Sequence, residues 1–346
     1  MFTNAHINGK FNSYVLVASW NIQASISLAF LVYWQWSEQL DVVICIVSKT
    51  KNKTAKAMVR RSMFFLVLIF AFEVLLVTEV MLLKWLTNSD SFVDYTIINP
   101  WRYKPLAVLT LILGFYSFAI FLLTFFAYMA ATAVLWMELK ELNNNLQLVL
   151  RTIEMTIEER KNRLHDLFMT HVLTVGRIRK VNQIFECFVL IIFTSLLPTL
   201  TFSILSFIIR ARNSSIEVAV SIPEIISCIL ELLVITYFAS NINSEAMRTE
   251  SILCSDDHIW KNEDEELTAL SKSFFIHAKQ PHIGISLSGF VLVTKQLVFT
   301  ALSISLTYVL FFVQTQLECI PHKRSLIGEE VENFDDILGN SSIEAY

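Results

Sequence analysis

Gly284 to Gln316 reads GISLSGFVLVTKQLVFTALSISLTYVLFFVQTQ, and this stretch decides the fold. From Ile285 to Val313 it holds one charged residue, Lys295. A bilayer core needs about 20 apolar residues of helix, so the run predicts a membrane span. It is not uniformly apolar. Gln296, Thr300, Ser303, Thr307 and Gln314 are spaced by four, three, four and seven. Residues three and four apart stack on one face of a helix. Leu310 is the one occupant of that face between Thr307 and Gln314. The other faces carry Leu297, Phe299, Leu306 and Phe312. A spanning helix turns such a polar stripe away from lipid, toward protein or water. One apolar residue set in the stripe suits a gate that closes by dewetting. Packing of small Ser and Thr against neighbouring helices accounts for the spacing equally well.

Working outward, the whole chain has the same character. Of 346 residues, 54% are hydrophobic and only 17% are charged, with mean hydropathy +0.55. Soluble domains are nearer 25% charged, so an all-α polytopic membrane bundle is expected. Six strong spans stand out, near 14–36, 62–86, 105–136, 184–209, 218–240 and 285–313. The organisation is N-terminal membrane helices over 1–137, a cytoplasmic helical loop over 138–183, and C-terminal membrane helices over 184–316. An acidic, disordered tail is expected over 317–346. The five cysteines are scattered with no CxxC, so neither a metal site nor a disulfide framework is implied. No basic patch with interleaved aromatics suggests nucleic acid, and no cofactor motif is visible. The partners expected are membrane lipid and a small molecule.

Lys and Arg set the orientation. Segments 49–61, 138–182 and 241–284 hold six, eight and four of them. Segments 1–13, 84–104, 210–217 and the tail hold one, three, two and two. The richer side is expected in the cytoplasm, which puts the C-terminus outside. The sequons at Asn213 and Asn340 then face outward as glycosylation candidates, and Asn52 faces inward.

Several polar residues sit inside apolar spans. Glu79 lies in the outer half of the second span, and Glu73 nearer its middle. A carboxylate at mid-membrane costs about 2.5–3.5 kcal/mol on insertion scales, so such residues mark contacts. Glu224 and Glu231 are seven apart on the fifth span and share a face. That face either lines a cavity or meets the headgroups and a neighbouring helix. Pro198 should kink the fourth span. Glu79, Tyr116, Glu224 and Glu231 are the ligand-binding candidates. Leu139, Leu142, Leu146 and Val149, and later Leu164, Phe168, Val175 and Ile178, keep a three-four repeat among charges. Such a repeat predicts helices packed on each other in water.

The motifs also resemble a known family. Thr307-Tyr308, five apolar residues and Gln314 resemble the closing motif of the insect gustatory receptors, Thr-Tyr, five apolar residues, then Gln-Phe. Thr315 replaces the final Phe. Pro281-His282-Ile283 and Gly289-Phe290 resemble that family's approach to its last helix. Glu138, Leu142, Asn143 and Leu146 resemble its Glu-Leu-x-x-Leu-Asn pattern below the fourth span. Asn182 and Phe185 resemble its Asn before the fifth. The resemblance implies seven spans, an inside N-terminus and an outside C-terminus. The last five spans fit the family's third to seventh, and the first here would be its second. It further implies a plasma-membrane chemoreceptor of gustatory type that is itself a ligand-gated, non-selective cation channel. Four subunits, alike or mixed, would surround a pore lined by Gln296, Thr300, Ser303, Thr307 and Gln314, with Leu310 at the constriction.

A G-protein-coupled chemoreceptor is the alternative. Asp-Arg-Tyr and Asn-Pro-x-x-Tyr signatures are absent, and the expected outside C-terminus opposes it. A transporter would favour internal repeats and Gly-broken helices, and the chain has seven Gly and no repeat. No enzyme is expected, since no nucleophile constellation is visible. His165/His171 and His277/His282 lack the spacing of a metal-binding helix face.

Overall fold

A computed structural model describes residues 2–50, 52–65, 67–68, 71, 75, 104–152, 155–210, 215–255, 264–281 and 283–314. Nearly all of this is helix. The elements are α1 (Phe2–Trp36), α2 (Gln39–Lys49), α3 (residues 53–65), α4 (Lys104–Arg151), α5 (Ile157–Arg210) and α6 (Ser215–Cys254). Then come α7 (Glu265–Ala278), strands β1 (Ser286–Leu287) and β2 (Val291–Leu292), and α8 (Lys295–Gln314). Among the described residues, α4, α5, α6 and α8 are long and apolar enough to cross a membrane. The expected spans 14–36 and 105–136 fall inside α1 and α4. Most of the second, with Glu73 and Glu79, lies outside the described residues.

Helix length shows how much of the chain lies beyond the membrane. α4 has 48 residues and α5 has 54. At 1.5 Å per residue they measure about 70 and 80 Å, against a hydrocarbon core of about 30 Å. The excess must leave the membrane. Residues 138–183 continue α4 and begin α5, with a break between Arg151 and Ile157. Pro198 sits within α5, which stays helical across it.

Local chemistry fixes the joints. α1 ends where the amide and hydroxyl of Ser37 both donate to the Tyr33 carbonyl, and Glu38 takes a left-handed φ of 58°. α2 is thus a separate helix rather than an extension of α1. The Asn52 side-chain oxygen accepts from the Ala55 amide at 2.9 Å and caps α3. Asp264 caps α7 by accepting from the amides of Glu266 and Leu267 at 2.9 and 3.2 Å. Lys161 pairs with Glu266 and ties that helix start to α5.

Two cores result. In the membrane part, Trp34, Phe121, Tyr128, Phe185, Phe188 and Ile192 are buried together. Trp34 meets Phe185 edge-on at 4.7 Å, and Tyr128 meets Phe185 at 5.4 Å. A polar seam runs beside them. The hydroxyls of Ser19 and Thr199 share a hydrogen bond, and Gln23 donates to the Ser195 hydroxyl at 2.9 Å. The Tyr128 hydroxyl donates to the Ile235 carbonyl at 2.8 Å. In lipid such bonds replace the hydrophobic drive that holds soluble helices together. The second core joins α4, α5, α6 and α7 through Leu142, Leu146, Leu150, Leu164, Leu253, Leu267 and Phe274. It contains Leu142, Leu146 and Leu164 of the three-four repeat, while Leu139 belongs to the first core.

Candidate functional site

α8 starts at Lys295, ten residues after the apolar run begins, because a short hairpin occupies its first part. β1 and β2 pair antiparallel, Ser286 opposite Leu292 and Leu287 opposite Val291. Ser288 and Gly289 turn the chain with positive φ of 50° and 76°. The Thr294 hydroxyl then accepts from the Leu297 amide at 3.2 Å and caps α8.

α8 touches its own chain on a narrow face. Ala301, Ser305 and Val309, four apart, are buried, and Leu297, Val298, Leu302 and Val313 are half-buried. Only 22% of its apolar window is buried, against 56–67% for α4, α5 and α6. Gln296, Thr300, Ser303, Thr307, Leu310 and Gln314 are all exposed. At about 100° per residue these six fall within about 40° of one line, and Ser305 lies about 180° from it. The polar stripe therefore points straight away from the rest of the described chain. Phe299, Ile304, Leu306 and Phe311 flank it and are exposed too. Tyr308, of the Thr-Tyr motif, is also exposed.

The hydroxyls of the stripe are already spent as donors. Thr300 donates to the Gln296 carbonyl at 2.9 Å, Ser303 to Phe299 at 2.8 Å and Thr307 to Ser303 at 2.8 Å. A hydroxyl has one hydrogen and two lone pairs. What these three hydroxyls offer outward is therefore acceptor oxygen, which suits water and cations, while Gln296 and Gln314 at the two ends also carry amide donors.

The hairpin below α8 is held by Asn182 and Glu186 of α5. The Asn182 side-chain oxygen accepts from the Ser286 amide at 2.6 Å and from its hydroxyl at 3.1 Å. Asn182 donates to the Glu186 carboxylate at 3.1 Å, and the Ser288 amide donates to the Glu186 carbonyl at 3.3 Å. A second polar cluster sits beside the second core. Asn143 is fully buried, donates to the carbonyl and carboxylate of Glu245 at 2.8 and 2.9 Å, and accepts from Thr249 at 2.7 Å. Glu138 pairs with Arg177 at 3.0 Å. So Glu138, Asn143 and Asn182, noticed in the sequence as motif residues, are joints between helices.

The ligand-binding candidates are less gathered. Tyr116 is 59% exposed on α4, while Glu231 is 8% exposed on α6. Glu224 lies on α6, its side chain outside the described part, and Glu79, Asn213 and Asn340 lie outside the described residues. One pair was invisible in the sequence. The Nδ1 atoms of His171 on α5 and His277 on α7 are 3.1 Å apart, between Phe168 and Phe274. Burial, then His277, pushes His171 down to about 4, and its Nε2 has no partner. Burial, then Arg179, lowers His277. No group of three metal-ligating side chains occurs among the described residues.

The fold now has relatives. A model of the 7tm chemosensory receptor family matches residues 14–318. The chain belongs to that family, a family of receptors and not of enzymes, and is a multi-pass membrane protein. The olfactory receptor OR5 of the insect Machilis hrabei in complex with eugenol is similar in structure. Its TM-score is 0.65 at 11% identity, over 89% of this chain and 82% of that one. A second structure of the same receptor gives 0.59 at 12%, over 87% and 80%. No curated protein sequence matches the chain.

Proposed function

We propose that the protein is a gustatory-type chemoreceptor that forms a ligand-gated, non-selective cation channel in the plasma membrane. Four copies, or a mixture with related chains, place α8 around a central pore, with the C-terminus outside. One observation carries this. The polar stripe of α8 lies opposite the face that packs on its own chain and is exposed among the described residues, which favours water, lipid or another subunit as its neighbour. Lipid is the poorest of these for a row of acceptor oxygens. Gln296, Thr300, Ser303, Thr307 and Gln314 line the pore, and Leu310 narrows it. The stimulus is a small molecule, the class to which the eugenol in the Machilis receptor belongs. Tyr116, Glu79, Glu224 and Glu231 are the candidate contacts.

Cysteine substitution tests the pore. In cells expressing the full chain, Thr300→Cys, Ser303→Cys and Thr307→Cys should react with a water-soluble methanethiosulfonate. Phe299→Cys and Leu306→Cys, on the flanks, should react far more slowly. Equal rates on both faces would refute the pore assignment. Native mass of the detergent-solubilised protein should give four subunits, and a clean monomer would shift weight to a G-protein-coupled receptor.

A further inference from the structure

α8 is gripped at its base and loosely held along its length. Ile283, Ile285, Ser286, Leu287 and Val293 are all buried, although they belong to a hairpin of only two short strands. Gly284 lies so close to its neighbours that an added Cβ would come within 3.3 Å of Leu292 and 3.6 Å of Asn243. The face α8 itself presents is small, chiefly Ala301, Ser305 and Val309. Such a face leaves little interdigitation to resist sliding. Most polar contacts that hold the hairpin to α5 run through Asn182 and Glu186.

We propose that the hairpin 286–292 is the fixed pivot from which α8 moves in gating, and that Asn182 is the residue that positions it. This rests on the pore reading above. Asn182 works because its amide has both functions. Its oxygen takes the Ser286 amide and hydroxyl, and its nitrogen neutralises part of the Glu186 carboxylate. A pivot must stay still while the helix above it swings. If Asn182 is lost, the base is unpinned and α8 visits open positions without any stimulus.

The test needs no ligand. Thr307→Cys reports pore opening through its rate of modification by a methanethiosulfonate in intact cells. Asn182→Asp keeps the acceptor oxygen but sets a second carboxylate against Glu186. The rate should rise about tenfold, the size expected for losing one hydrogen bond to a charged group. Adding Glu186→Gln restores a donor facing an acceptor and should return the rate to that of the Thr307→Cys parent. Where Asn182→Asp does not reach the surface, Ser286→Ala removes the hydroxyl contacts and keeps the main-chain one; it should also raise the rate.

Cys187 supplies the converse experiment, because its Sγ is 3.9 Å from the Ser288 hydroxyl. Ser288→Cys should form a disulfide with Cys187 under mild oxidation and staple the hairpin to α5. A fixed pivot predicts that the staple leaves basal cation leak and the Thr307→Cys rate within twofold. A stapled channel that shuts, and reopens with reductant, would overturn the pivot. So would an Asn182→Asp protein that reaches the surface with an unchanged rate. If Thr307→Cys is unreactive in every background, the pore reading falls and takes the pivot with it.

Discussion

Acid should loosen the packing of α5 on α7 through one buried pair. His171 on α5 is fully buried and its pKa is pushed from 6.5 down to about 4, first by burial and second by His277. The Arg179 guanidinium also faces His277. The folded state therefore binds fewer protons at His171 than the unfolded state between pH 6.5 and about 4. Stability from this site is fully present above pH 6.5 and is lost as pH falls toward 4. The slope is about 1.4 kcal/mol per pH unit for one proton. Between pH 6.5 and 5 the loss is about 2 kcal/mol from the same relation. His171→Phe keeps an aromatic ring among Phe168 and Phe274 and cannot titrate. It loses the 3.1 Å contact to His277 and removes a buried nitrogen with no partner, so it should be near neutral at pH 7.5. Denaturant unfolding of the purified protein in detergent, at half-unit steps from pH 7.5 to 5, measures the difference. The variant should become the more stable of the two below pH 6. Parallel curves for both proteins would refute the titration of the pair.

Two further outcomes are expected. Asn143→Leu removes two hydrogen bonds donated to Glu245 and the acceptor for Thr249. It should cost about 1–3 kcal/mol and lower the unfolding midpoint in denaturant; an unchanged midpoint would mean the cluster contributes nothing to stability. Ala301→Phe forces a ring into the packing face of α8 and should cost about 1–3 kcal/mol. Ile304→Phe, on an exposed flank, should leave the unfolding midpoint where it was, and the order of the two reports which face is buried.

The spans were legible because length and period carry them. About 30 apolar residues in a row cannot be anything but membrane or core, and Gln296 to Gln314 mark one face at helical spacing. Which face of α8 meets the chain was not legible, since Ala301 and Ser305 look no more buried than Ser303 in a string of letters. The hairpin reads as part of the helix because Ile285 to Val293 is as apolar as Leu297 to Val313. Its signals were present in Ser288-Gly289, a turn pair, and in Thr294, a helix cap. The break after Trp36 left a weaker trace, the short Val42 to Val47 run. The His171 and His277 pair left none. Two residues 106 positions apart meet only through the packing of α5 on α7, and no local pattern encodes that. Asn143 and Asn182 stand out as letters of a motif, but their work as helix joints depends on partners such as Glu245 and Ser286 from distant segments.

The back-bonded hydroxyls of α8 have a consequence for how the molecule is made. Thr300, Ser303 and Thr307 each return their hydrogen to a carbonyl of the preceding turn. A newly inserted chain thus carries no naked donor on the stripe into the bilayer. The two glutamines stand at the ends of the helix, in reach of the headgroups. A solitary copy can therefore leave the ribosome and diffuse in lipid without being marked as misfolded. On the pore reading proposed above, assembly can wait for an encounter between finished chains.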